Sequence, residues 1–187
     1  VKKKINFIKT AVADFQIGAV APSSRYVVKT VLSKLKGESL NQVWEYGPGD
    51  GVVTREILKL LPRNGKLTVI ETNASFVKAL KQISDERLEI IHGTIQETLP
   101  ELLKQIGLEK IKVDAIISSV PFSFFTPRER EQIIKQTSLV LRTDGKFVVF
   151  NQYTPLMFFP IKKHLKKLKL SYEFRNIPPC FIFSARK

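Results

Sequence analysis

Two carboxylates, three glycines and a short serine turn are the residues here whose types and spacing could do chemistry. Residues 43–51 read Val-Trp-Glu-Tyr-Gly-Pro-Gly-Asp-Gly, an apolar run ending in glycines at every second position: Gly47, Gly49 and Gly51. From Val52 onward, apolar residues recur at helical spacing through Val53, Ile57, Leu60 and Leu61, so the pattern predicts strand, glycine turn, helix. Glycine adopts positive φ or admits a ligand where a Cβ would block it, and a helix start adds unpaired N–H groups. Such a turn makes a groove of nucleotide size. The spacing departs from the Gly-x-Gly-x-x-Gly dinucleotide fingerprint, and Glu45 on the approach would repel a pyrophosphate. Residues 67–70 predict a second strand, which ends in Glu71-Thr72-Asn73. A carboxylate at that tip is placed to accept both hydroxyls of a ribose.

The remaining elements must carry these residues to one place. Residues 26–35 have the pattern of a helix, capped by Ser23 or Ser24 after Pro22, and residues 37–41 form a polar linker. Residues 75–83 predict a helix, 88–91 a third strand ending at His92-Gly93-Thr94, 97–106 a helix, and 113–118 a fourth strand. Residues 127–141 predict a long helix capped by Thr126, 142–145 a turn and 146–150 a fifth strand. A terminal hairpin pairs 170–174 with 181–185 around Arg175-Asn-Ile-Pro-Pro179. Alternating strands and helices define an α/β fold with a mostly parallel sheet and an antiparallel C-terminal hairpin. In such a sheet the site lies beyond the carboxyl ends of the strands, which brings Ser118-Ser119-Val120-Pro121-Phe122 beside the glycine turn. His92 reads as a strand-end histidine, with no neighbouring acid to orient it.

An acid before the glycines, no phosphate-loop lysine and an acid after the second strand resemble the S-adenosylmethionine site of class I methyltransferases. Residues 18–25, Gly-Ala-Val-Ala-Pro-Ser-Ser-Arg, followed by Glu-Tyr-Gly-Pro-Gly-Asp-Gly, further resemble the bacterial phospholipid N-methyltransferase family. Ser118-Ser-Val-Pro121 matches that family's Ser-Ser-Leu-Pro type of turn, and residues 175–179 are similar to its C-terminal signature. The resemblance spans nearly the whole chain. It implies one methyltransferase domain over 1–187, with a helical cap at 1–36 and a Rossmann-like core at 41–187. It also implies that the loop at 18–25 folds over S-adenosylmethionine and borders the headgroup pocket of phosphatidylethanolamine, with S-adenosylhomocysteine as a product. Cofactor contacts are expected from Glu45, Gly47, Pro48, Gly49, Gly51, Glu71, Thr72, Asn73, Gly93, Thr94, Ile95 and Ser118. Thr94 stands where class I enzymes often carry an adenine-binding Asp. More distantly, the glycine turn resembles that of ribosomal RNA adenine dimethylases, whose Asn-Leu-Pro-Tyr turn is here replaced by Ser-Val-Pro-Phe.

With 187 residues and 43% hydrophobic content, the chain suits one α/β domain. The single cysteine, Cys180, leaves neither a disulfide framework nor a multi-cysteine zinc site and suits a reducing interior. The N-terminus lacks the apolar core of a signal peptide and no run is long enough to span a bilayer, so a cytoplasmic, peripherally membrane-associated protein is expected. The formal charge of +14 calls for an anionic partner, either an acidic membrane surface or RNA. Residues 1–15 predict a basic amphipathic helix, which either caps the core or lies in a membrane interface. Residues 157–170 interleave Lys162, Lys163, Lys166, Lys167 and Lys169 with apolar residues and predict a polybasic helical anchor.

Methyl transfer from a sulfonium needs in-line attack by an uncharged nitrogen, with positioning as the protein's main contribution and no metal. A lipid ammonium must first lose a proton, and burial beside a cation lowers its pKa. Ser119 and Tyr26 are the candidates to position the amine, with Tyr153 nearby. Arg25 or Arg175 would hold the lipid phosphate, and Pro121 and Phe122 would border the substrate. An RNA adenine N6-methyltransferase is the alternative. Oligomeric state is left open.

Overall fold

The computed structural model describes residues 23–106 and 112–187. The helix expected over 1–15, residues 18–22 of the first loop and most of the 107–112 linker lie outside them.

Short apolar runs alternate their side chains between two faces, and where both faces are covered every position is buried. β1 (Gln42–Tyr46), β2 (Lys66–Glu71), β4 (Val113–Ser118) and the middle of β5 (Leu141–Gln152) show this pattern. Together with β3 (Leu88–His92), β6 (Lys166–Glu173) and β7 (Cys180–Arg186) they form one seven-stranded sheet in the order β3-β2-β1-β4-β5-β7-β6. β1 to β5 run parallel, while β7 is antiparallel to β5, and β6 to β7. The strand order reverses between β1 and β4, so a crevice opens beyond their carboxyl ends.

Helices cover both faces. On one side α1 (Arg25–Ser33), α2 (Val52–Leu60) and α3 (Ala74–Leu80) bury Val27, Val31, Ile57 and Leu80 against Val43, Val69, Ile117 and Val148. On the other, α4 (Ile95–Ile106), α5 (Pro127–Val140) and α6 (Phe158–His164) bury Leu99, Ile133, Ile134 and Ile161 against Trp44, Ile116, Phe147 and Phe183. Fully burying one such aliphatic side chain is worth about 1.5–3 kcal/mol, so both layers hold the strands in register. Caps fix where the helices begin. Ser24 Oγ accepts from Val27 N, and Thr126 with Glu129 forms a capping box ahead of Pro127 in the first turn of α5.

Two expectations need correction. The polybasic helix does not extend to residue 170: α6 stops at His164, and Lys166, Lys167 and Lys169 lie on β6. β6 is the sheet edge, where exposed lysines discourage pairing with another chain. The turn expected at 142–145 is contained within β5, whose register with β4 shifts there, while Asp144 takes φ 60°. Among the described residues no helix is long and apolar enough to cross a membrane.

Candidate active site

The glycine turn is held from three sides by backbone. Gly47 N donates to Ile70 O at 2.9 Å, Gly51 N to Pro48 O at 3.1 Å, and Ser119 N to Tyr46 O at 3.1 Å. The Ser119 hydroxyl donates to Gly47 O, pinning the β4 turn to the β1 turn. At Gly47, φ is 68° and an added Cβ would lie 3.0 Å from Val120 Cγ2. Gly51, at φ 79°, would meet Leu80 Cδ2 at 2.9 Å. At Gly49 (φ 58°) a Cβ would meet no protein atom within 4 Å, so the chain leaves this flank open.

Glu71 closes the other flank. Its Oε2 accepts from Gly49 N at 3.0 Å, and Oε1 accepts from Asn73 N at 2.8 Å and Thr72 Oγ1 at 3.4 Å. Asn73 caps α3, Gly93 N donates to Glu71 O at 2.9 Å, and His92 Nε2 lies 3.1 Å from Thr72 O. The tips of β1, β2 and β3 are thus one hydrogen-bonded unit. The Thr94 hydroxyl caps the first turn of α4, donating to Glu97 Oε2 at 2.8 Å and accepting from Glu97 N at 3.2 Å, and Ile95 is buried.

Glu45 sits beneath the turn. Its side chain is buried, and Thr54 Oγ1 of α2 donates to Oε2 at 2.7 Å. Burial pushes this carboxyl up to about 8, against the Thr54 hydrogen bond, and the nearby Glu71 and Asp50 charges add to the rise. Thr54 was not singled out in the sequence; the signal is a hydroxyl among apolar residues on the buried face of α2.

On the substrate side, Ser118 is buried and its Oγ accepts from Val120 N at 3.4 Å. With its one proton given to Gly47 O, the Ser119 hydroxyl keeps acceptor lone pairs for a donor such as an amine N–H. Phe122, expected at the substrate surface, is instead fully buried. Its ring packs on Phe125 at 5.6 Å, and Arg130 Nη1 holds the turn by donating to Phe125 O at 2.6 Å and Phe122 O at 3.3 Å. Phe124 points outward, and Tyr153 is half-exposed just after β5, ahead of α6, whose first turn carries Phe159.

The start of α1 meets the β6–β7 turn across the chain. Ser24 N donates to Asn176 Oδ1 at 3.4 Å, Asn176 Nδ2 to Pro178 O at 2.7 Å, and Thr30 Oγ1 to Glu173 Oε2 at 3.0 Å. Arg175 forks onto Glu173 through Nε at 2.8 Å and Nη2 at 2.9 Å, which lowers the Glu173 carboxyl to about 2. The Tyr26 ring takes the Arg175 guanidinium at 4.5 Å and that of Arg25 at 5.0 Å, while Arg25 Nη2 donates to the Tyr26 hydroxyl at 3.0 Å. Arg25, Tyr26, Lys29, Thr30, Ser33 and Arg175 line a groove of about 520 Å³. Asn176 lies in the 175–179 stretch already marked as a signature, whereas Lys29 and Glu173 were not anticipated; Glu173 had a local signal in its place two residues before Arg175.

A strand, a glycine turn opening a helix, and an acid at the tip of the next strand define a class I methyltransferase. The family described as ribosomal RNA adenine dimethylase matches residues 23–127, and the chain belongs to it. Among curated relatives, an ornithine lipid N-methyltransferase of Singulisphaera acidiphila is 24% identical over 91% of this chain and 88% of its own. The bovine mitochondrial dimethyladenosine transferase 1 is 34% identical over 56% of this chain, which spans only 31% of that protein. The fold matches the N-methyltransferase NodS of Bradyrhizobium japonicum in complex with S-adenosylhomocysteine, with TM-score 0.72, 11% identity and 88% of each chain covered. This chain is an S-adenosylmethionine-dependent methyltransferase. Its residues fit that cofactor: the flank of Gly49 is open, the Glu71 carboxylate beside it has lone pairs suited to a diol, and Glu71 and Asp50 bring negative charge to the turn, as suits a ligand with sulfonium and ammonium groups.

Proposed function

We propose that this enzyme methylates the amine of a zwitterionic lipid headgroup at a membrane surface, with phosphatidylethanolamine as the candidate substrate. The observation that carries this reading is the Ser118–Pro121 turn, where Ser119, locked to Gly47 O, keeps acceptor lone pairs and offers no planar amide. A base amine calls for a planar amide acceptor and an aromatic face on which to stack, and Phe122 is buried. A lipid amine calls for small acceptors and, nearby, a cationic place for its anion. Arg25 and Arg175 around Tyr26 supply the second.

S-adenosylmethionine supplies an electrophilic methyl on its sulfonium. Glu71, Gly47, Gly49 and Gly51 are proposed to hold it, with Thr72, Asn73, Gly93, Thr94, Ile95, Pro48 and Ser118 around it and Glu45, neutral at pH 7, bracing the turn from below through Thr54. Ser119 accepts an N–H of the incoming amine and thereby aims its lone pair, while Tyr26 and Tyr153 border the headgroup. Proximity to cationic groups and exclusion of water favour the neutral amine. The relationship to dimethyladenosine transferases supports RNA as the second reading. The test is mass spectrometry of lipids after incubation with cofactor and vesicles containing phosphatidylethanolamine, ornithine lipid or an N-acylated control. Stepwise methyl additions on the free-amine lipids support the proposal. Unmodified lipids beside methylated RNA in a parallel incubation replace it with the second reading.

A further inference from the structure

The carboxyl edge of the sheet carries a row of apolar tips that, Tyr153 apart, the site chemistry does not use. Among the described residues, Leu60, Leu139, Leu170 and Tyr172 are exposed elsewhere, and the other exposed large apolar side chains gather at this one end. Phe124 stands in the β4–α5 connection, Tyr153, Leu156 and Phe159 follow β5, and Phe174 and Ile177 form the β6–β7 turn. β4, β5, β7 and β6 are neighbours in the sheet, so these connections and the first turn of α6 lie at one end of it. Phe159, Phe174 and Ile177 are 77%, 71% and 87% exposed, too open to belong to the core. Single exposed apolar residues are ordinary; a row of bulky ones on successive loops marks an interaction surface.

Charge says what covers it. The acids on this half of the edge are already engaged: Glu129 in the α5 capping box, Glu131 with Lys163 at 2.5 Å, and Glu173 with Arg175. Arg25 rests on a tyrosine and Lys162 on the Phe158 ring at 5.8 Å, so both keep their full charge for an outside partner. A second copy of the chain would bring the same positive edge, and a net charge of +14, against its like. An anionic bilayer answers both features, taking apolar tips between its acyl chains and basic groups at its phosphates.

We propose that this edge, from Phe124 to Ile177, is the face that seats the enzyme on an anionic bilayer, with Phe159, Phe174 and Ile177 inserted. The inference rests on the lipid-amine reading and makes it concrete, since Phe124 follows Ser119 in the same connection and a lipid entering along the rim reaches the turn without leaving the membrane. Insertion by these loops differs from anchoring through the lysines of β6, which start at the opposite end of the sheet, where Lys166 pairs with Arg186.

Single tryptophans test it in the full chain, because the native Trp44 is buried and contributes a steady background. F159W, F174W, I177W and, as a control at the opposite end, L139W are mixed with phosphatidylglycerol vesicles brominated in the upper acyl chain. At least twofold quenching and a blue shift for the three rim variants, with L139W unchanged, is the expected result. The combined F159S/F174S/I177S variant should bind these vesicles about tenfold or more weakly while keeping its melting temperature. Equal quenching of all four, no quenching of the rim, no vesicle binding, or rim-dependent dimers in sedimentation would each overturn the proposal. Quenching is read without turnover, so methylated RNA with quenched rim tryptophans would sink the substrate reading and leave this one standing.

Discussion

The two halves of the carboxyl edge are built by different means. At β1 to β3 the site is backbone: glycines at positive φ, amides bonded to carbonyls of neighbouring strands, and Glu71 accepting from Gly49 and Asn73. At β4 to β6 it is side chains reaching across long sequence separations, as in Asn176 accepting from the Ser24 backbone and Glu173 from Thr30. The first half suits a ligand that never changes. The second can be remodelled by exchanging side chains, as expected where related enzymes share a cofactor and differ in substrate.

Substitutions in the first half should therefore be the most damaging. Gly51→Ala combines a left-handed backbone, about 1–2 kcal/mol, with overpacking against Leu80, about 1–3 kcal/mol more, so thermal melting should drop by many degrees. Gly49→Ala sharpens the contrast. It shares the backbone strain but meets no protein atom, so a melting loss well below that of Gly51→Ala should accompany a strong loss of cofactor affinity by calorimetry. Comparable melting losses would show that the Gly49 flank is not open.

Glu71→Ala removes the proposed diol acceptor and the carboxylate that Gly49 N and Asn73 N contact. Each charge-assisted hydrogen bond is worth about 1.5–3 kcal/mol, so cofactor affinity should fall tenfold or more, and an unchanged dissociation constant would refute the assignment.

Glu45 offers a test through pH. Its folded-state pKa is raised from 4.5 to about 8, so its contribution to stability is fully present below about 4.5 and is lost as pH rises through 8. Glu45→Gln cannot ionise. Without cofactor, wild type should lose melting temperature relative to the variant between pH 5 and pH 9, and parallel pH profiles would contradict a buried, neutral carboxyl.

The smallest effect belongs to the second half. Glu173 is held near 2, so its stabilisation is present at neutral pH and fades as pH falls from about 4.5 through 2. Arg175 is half-exposed, which limits the pair to about 1 kcal/mol, and Glu173→Gln should cost about that at pH 7 and nothing near pH 2 in denaturant titrations.

The same division decided what could be read from the chain alone. β1, the glycine turn, α2 and Glu71 are local patterns, and the structure has them within a residue or two of expectation. Leu165, Leu168 and Leu170 fit helical and strand spacing almost equally, and pairing of Leu170 with Phe183, far along the chain, selects the strand. Three phenylalanines crowd residues 122–125, and only their burial in the fold, Phe122 fully enclosed and Phe124 open, shows which of them turns inward. Arg25, Tyr26 and Arg175 were legible as residue types; their stacking needed the β6–β7 turn docked on α1.

The central claim, a lipid amine delivered to a backbone-built cofactor site, is tested most directly by competition in one tube. Purified chain, methyl-labelled S-adenosylmethionine, anionic vesicles containing phosphatidylethanolamine and total RNA are incubated together and then extracted with organic solvent. The account predicts that the label enters the organic phase as methylated headgroup and that Glu71→Ala abolishes it. Label retained in the RNA, with the lipids unmodified, would contradict it.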